Sequence, residues 1–107
     1  MVEHDAMMAR FVHDYLELLD HRVSSIRSHL EQRNFMTAHV ALLSLESTSV
    51  MVGAEGLAQA AGQLREAVER GDRDGVPALL AVVGDEAERT REELGGAAIE
   101  PEQGQTV

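Results

Sequence analysis

The chain has 107 residues, a formal net charge of −10 and no cysteine. Its length fits one domain with one core, and the absence of thiols excludes disulfides, thiolate zinc sites and thiol catalysis. Its nine cations are all arginine, and the acidic balance argues against nucleic acid or an anionic membrane as a partner, because phosphate contacts require clustered cations.

Apolar residues recur at helical spacing along most of the chain and predict four helices. The first extends from about residue 5 to residue 32. The second extends from Phe35 to about Met51, with Asn34 as its N-cap and Gly53 just beyond its end. The predicted core stripes of these two helices are Met8, Val12, Tyr15, Leu19, Val23, Ile26 and Leu30, then Phe35, Ala38, Leu42, Leu45, Ser49 and Val52.

The third helix is predicted from Ala54 to Arg70, with Gly71 closing it. The fourth has Pro77 in its first turn and ends at Gly95-Gly96. Short connections favour an all-α, antiparallel up-down four-helix bundle over residues 1–95, with an N-terminal helical extension. Residues 96–107 are predicted to form a disordered tail.

The second helix carries an additional apolar side that the core stripe does not use. Its members are Met36, Val40, Leu43 and Val50, with His39, Glu46 and Ser47 beside them. Neighbouring helices, a docked protein or a second copy of the chain are the three candidates for covering it.

The residues around this helix resemble a histidine phosphotransfer (HPt) domain. The central pattern of that family is roughly A-H-x-L-K-G-S-S followed by G-A-x-x-L, and residues 53–57 read G-A-E-G-L. In the family the phosphorylated His lies ten residues before that Gly, which is Leu43 here. Asn34 stands where the family usually has an Asp, and Leu45 stands at the Leu of the motif.

The resemblance covers about residues 8–94, including the third-to-fourth helix connection. It implies a four-helix bundle that docks a receiver domain, or a hybrid histidine kinase, in a two-component phosphorelay. Three positions depart from the pattern: Leu43 replaces the phosphoacceptor, Glu46 the Lys and Ser47 the Gly. An acidic residue at the position of the Lys would repel a phosphoryl group. We therefore expect a degenerate member that docks through Met36, His39, Val40, Leu43, Glu46, Ser47 and Val50 without the usual phosphotransfer.

Two alternatives stay open at this point. His39 follows an Ala, as the family His does, and lies one turn before Leu43, so it is a candidate phosphoacceptor. Alternatively, the additional apolar side closes a homodimer with no signalling role.

Other chemistry finds little support in the sequence. His13, Glu17 and His21 share one helix face, but the Glu-x-x-His pairs of a di-iron bundle are missing, so we expect no metal. No phosphate-binding loop or oriented nucleophile occurs, so we expect neither a cofactor nor an enzyme.

No apolar run reaches the ~20 residues of a membrane span, and the N-terminus lacks the layout of a signal peptide. We therefore expect a cytoplasmic protein.

Overall fold

The computed structural model consists of four helices: α1 (Val2–Glu31), α2 (Phe35–Met51), α3 (Glu55–Arg70) and α4 (Gly75–Thr106). It describes the backbone of residues 2–106 and the side chains of residues 6–95. Helices α1 and α3 each pack against both α2 and α4. Because the three connections are short, consecutive helices run antiparallel, and the predicted up-down four-helix bundle is confirmed.

Helices α1 and α4 are much longer than the two helices between them. The 30 residues of α1 span about 45 Å, whereas the 17 residues of α2 span about 25 Å. Tyr15 contacts Ser49 near the end of α2, so the earlier turns of α1 continue past α2 as an N-terminal extension. Helix α4 continues past Gly95 and Gly96, where the sequence predicts its end. The side chains of residues 96–107 lie outside the described part of the chain, and the disorder of this tail stays a prediction.

Leucine, valine and alanine side chains form most of the core between the helices. The largest fully buried side chains are Leu19, Ile26, Leu42, Leu45, Leu57, Leu64, Val83 and Ser49. The prediction of a core position is wrong for two residues, since Met8 is 42% exposed and Phe35 is 44% exposed. Met8 lies in the extension of α1, beyond the reach of α2. Phe35 begins α2 and lies beside a cleft of about 470 Å³ that Leu30, Val68 and Val76 also line.

A buried polar pair joins α1 to α2. The Tyr15 hydroxyl lies 2.7 Å from the Ser49 hydroxyl, and both residues are buried. Burial raises the pKa of Tyr15 because it penalises the ionised phenolate, although the hydrogen bond with Ser49 acts in the opposite direction. This pair fixes the register between the two helices, since either hydroxyl alone would be buried without a partner.

The first three helices end in the same hydrogen-bonded turn. Within two residues of each helix end the chain turns into the left-handed region, with φ of 64° at Arg33, 80° at Gly53 and 71° at Gly71. The amide of the next residue then bonds the carbonyl five residues back, as from Asn34 to His29 at 2.8 Å. This is the Schellman arrangement, in which Gly is favoured because it has no Cβ. Arg33 is therefore the unexpected residue in this set.

Tyr15 should make the protein less stable in alkaline solution. It is the only tyrosine, and the chain has neither cysteine nor lysine, so no other side chain titrates near pH 10. Because the folded-state pKa is raised, the unfolded chain releases this proton first, and the free energy of unfolding falls as the pH rises above about 10. We expect tyrosinate absorbance of the folded protein to appear above pH 10. Tyr15→Phe should remove this part of the decline, and a titration at the ordinary value would contradict the account.

Arg33→Gly should stabilise the protein, because an L-residue in the left-handed region costs about 1–2 kcal/mol and Gly does not. Gly also loses more conformational entropy on folding, and this cost offsets part of the gain. We therefore expect a net increase of about 0.5–1 kcal/mol in the free energy of unfolding. Gly53→Arg is the mirror experiment, since a Cβ at Gly53 meets no atom within 4 Å and only its φ matters. Urea unfolding should show opposite signs for the two variants. Equal signs would be inconsistent with this explanation.

Candidate docking surface on helix α2

Helix α2 has neighbours on one side only. Its contacts are with α1 and α3, and the residues that it buries against them are Ala38, Leu42, Leu45 and Ser49. Each of these four is 0% exposed. The pattern places Met36, Val40, Leu43 and Val50 on the opposite side of the helix, which no other helix reaches among the described residues.

That opposite side is apolar and open to solvent. Met36 is 83% exposed, Val40 61%, Val50 63% and Leu43 47%, and Ser47 is also exposed. We call these five residues the exposed α2 face. Met51, at 62% exposure, adjoins the set and was not among the predicted binding residues. Cover by neighbouring helices, the first of the three candidates, is therefore absent in the described part of the bundle.

The two adjacent leucines, Leu42 and Leu43, differ in orientation, which bears on the position that the HPt resemblance assigns to the phosphoacceptor. Leu42 is fully buried, whereas Leu43 is half-exposed and lies in the middle of the exposed α2 face. The residue presented outward at this point is therefore aliphatic. It offers no atom that can take a phosphoryl group.

A polar network lies along the edge of this face, where α2 meets α3. The Arg65 Nε donates to Glu46 Oε1 at 3.0 Å, and its Nη1 lies 3.8 Å from Glu69 Oε1. The other Glu69 oxygen, Oε2, lies 3.2 Å from His39 Nε2. Two residues of α2 are thus tied to two residues of α3. The residue pattern of α2 predicts His39 and Glu46 for the site, whereas Arg65 and Glu69 give no such signal, because their pairing depends on how α3 is aligned beside α2.

Glu46 lies close against α3 because Gly62 leaves room for it. A Cβ placed at Gly62 would be only 2.8 Å from Glu46 Oε2. The hydrogen bond from Arg65 to the Glu46 carboxylate raises the pKa of Arg65, because it favours the charged guanidinium. Arg65 thus compensates the negative charge at position 46, and the repulsion of a phosphoryl group that Glu46 alone would cause is reduced.

The geometry at His39 is unfavourable for a phosphoacceptor. The residue is half-buried, and its Nε2 faces the Glu69 carboxylate at 3.2 Å. A phosphoryl group on Nε2 would displace that carboxylate and then lie beside it, and two anions at such a distance repel each other. The contact with Glu69 involves Nε2, so Nδ1 is the ring nitrogen that this carboxylate does not face.

A group of possible metal ligands lies on α1. His13, Asp14 and Glu17 bring one ligand atom each to within 4.8 Å of one another, and all three residues are exposed. A single helix supplies all of them, and no buried group supports them, so the arrangement is that of a solvated surface. Within the described residues, none of the four helices has an apolar stretch of the length and hydropathy that a bilayer crossing requires.

Comparison of the chain with protein-family models, with curated proteins and with solved structures finds no match. The functional interpretation consequently depends on the residue pattern and the geometry described above.

Reversing the charge at position 46 should test the network. Glu46→Lys places a cation beside Arg65, and we expect a lower urea midpoint because the Arg65 guanidinium loses its carboxylate partner and faces a like charge. Adding Arg65→Glu recreates an opposite pair and should recover part of the loss, since the new carboxylate also lies beside Glu69. Glu92→Lys on the exposed side of α4 changes the net charge equally and serves as the control. If the double variant is as unstable as the sum of the single ones, the two residues do not interact.

Proposed function

We propose that the chain is an HPt-like binding module of two-component signalling. It docks a receiver domain, alone or as part of a hybrid histidine kinase, through the exposed α2 face, and it does not carry phosphate by the usual route of the family. One observation carries the proposal: at the position that corresponds to the phosphoacceptor, an aliphatic Leu43 is presented outward from an uncovered apolar surface. The up-down bundle supplies the scaffold that the resemblance implies.

The energetics of the exposed α2 face support binding. Burial of apolar area contributes roughly 25 cal/mol per Å², so covering Met36, Val40, Leu43 and Val50 yields several kcal/mol. Association costs several kcal/mol of translational and rotational freedom, which leaves a margin suited to a transient contact. Contiguous apolar patches on small proteins usually mark interaction sites.

The chemistry of the surface favours docking over phosphotransfer. Leu43 has no nucleophile, and the one nearby imidazole, that of His39, is held by a carboxylate. A module that binds a receiver domain and accepts no phosphate sequesters that receiver or competes with an active HPt protein for it. Both effects lower the phosphate flux through the pathway.

Incubation with phosphorylated receiver domains from the same genome tests the absence of phosphotransfer. With labelled acetyl phosphate as the phosphate source, we expect no acid-labile label on this chain. Label that is present on the wild type and lost in His39→Gln would instead support the alternative of an active protein that uses His39. Label that survives this variant would reject both interpretations.

A matched pair of substitutions tests the docking surface. Leu43→Asp places a charge in the middle of the exposed α2 face, and we expect at least tenfold weaker binding to the receiver domain, or about 1.4 kcal/mol. Val82→Asp changes another exposed apolar residue, 42% exposed and located on α4, and should leave the affinity unchanged. Calorimetric titration gives both values. Equal losses in the two variants, or no binding by the wild type to any receiver domain, would contradict the proposal.

A further inference from the structure

The exposed α2 face has the spacing of a helix-pairing surface. Met36, Val40, Leu43, Ser47 and Val50 are separated by four, three, four and three residues. This alternation has the 3.5-residue period of the core positions in coiled coils, which keeps one side of a helix facing a partner helix along its length. The occupant that best matches the surface is therefore another helix, running alongside α2.

Met36 and Val50 each lie seven residues from Leu43, whereas Val40 lies three residues and Ser47 four residues from it. Reversing the helix about Leu43 therefore exchanges Met36 with Val50 and brings Val40 to within one residue, about 1.5 Å, of the height of Ser47. An antiparallel copy of α2 consequently presents its exposed residues at nearly the same heights. We infer that two copies of the chain associate through α2, antiparallel about a two-fold axis that passes beside Leu43.

The charges at the edge of the face favour this direction. His39 and Glu46 lie on the same edge, about 6 Å and about 4.5 Å along the helix axis on opposite sides of Leu43. Under a two-fold axis these edges meet with the helix direction reversed, so each His39 comes opposite the Glu46 of the second copy. In a parallel pair the two-fold axis runs along the helices and sets this edge against the opposite edge of the second copy, so the contact between His39 and Glu46 would not form.

Helix α3 prepares both residues for this contact. Glu69 holds the His39 ring at 3.2 Å, and Arg65 holds the Glu46 carboxylate at 3.0 Å. The two side chains are therefore fixed in place before association and lose little rotamer freedom when the second copy arrives. The dimer would extend this network across the interface twice.

Self-association depends on the geometry of α2 and not on the proposed signalling role. If that role also holds, which is the one point that rests on the proposed function, a second copy and a receiver domain compete for the same surface. The dimer is then a form that cannot bind a receiver domain, because the second copy covers the docking surface.

Cysteine cross-linking tests both the contact and its direction, because the natural chain has no cysteine. Under mild oxidation Leu43→Cys should form a disulfide-linked dimer, since the two copies of this position lie within disulfide reach at the two-fold axis. Met36→Cys and Val50→Cys should each cross-link poorly alone, whereas their mixture should yield the mixed dimer. Val82→Cys, on exposed α4, is the control for random collision.

Two cross-linking results would overturn the inference. One is Leu43→Cys cross-linking no faster than Val82→Cys. The other is efficient self-linking of both Met36→Cys and Val50→Cys, which would indicate a parallel pair. Sedimentation of the cysteine-free wild type gives the independent readout: a dimer that Leu43→Asp converts to monomer is expected, and a wild-type monomer at high micromolar concentration would reject the dimer. Receiver binding by such a monomer would leave the proposed function intact, so the two failures are distinguishable.

Discussion

A helix in this bundle has two neighbours, and α2 has more apolar surface than two neighbours can cover. Leu42 and Leu45 are buried in the core against α1 and α3, whereas Leu43, the residue after Leu42, extends into solvent. Exposing several large apolar side chains forgoes roughly 1.5–3 kcal/mol for each side chain that a partner would bury. This unused binding energy, concentrated on one side of one helix, is the feature on which every functional statement about the protein depends.

The α2–α3 interface determines what surrounds that surface. Small residues on α3, among them Ala58, Ala61 and Gly62, are buried and allow the two helices to approach closely. Glu46 then lies against Gly62 and binds Arg65, and the charge at the edge of the exposed α2 face is compensated within the bundle. The same arrangement ties His39 to Glu69 and withdraws its Nε2 from solvent chemistry. The packing of α3 thus fixes the polar edge of the exposed α2 face and supports the proposal that this face binds a partner without carrying phosphate.

Much of the fold was predictable from the sequence because its signals are local. Apolar spacing located the four helices, and Gly53 and Gly71 marked helix ends correctly because the left-handed turn favours Gly. Arg33 was not predictable in this way, because it adopts the same left-handed turn although it is not a glycine. Phe35 was misplaced because periodicity gives the side of a helix but not whether a neighbour reaches its first turn.

The candidate site was predictable only in part, and for a related reason. Periodicity along α2 was enough to identify Met36, Val40, Leu43 and Val50 as a separate side, and all four are exposed. Contacts between helices were not predictable, because the Tyr15–Ser49 bond and the pairing of Glu46 with Arg65 depend on the axial alignment of packed helices. The charge of Glu46 was therefore interpreted without the arginine that compensates it.

The central claim is that the exposed α2 face is where this protein binds. The most direct measurement is methyl NMR of the chain, with labelled Met, Leu and Val side chains, during titration with a receiver domain and, separately, as a function of its own concentration. The account predicts shifts that begin at Met36, Val40, Leu43 and Val50 while the buried methyl groups of Leu57, Leu64 and Val83 change little. Shifts centred on α1 or α4, or none on α2 under either condition, would contradict it.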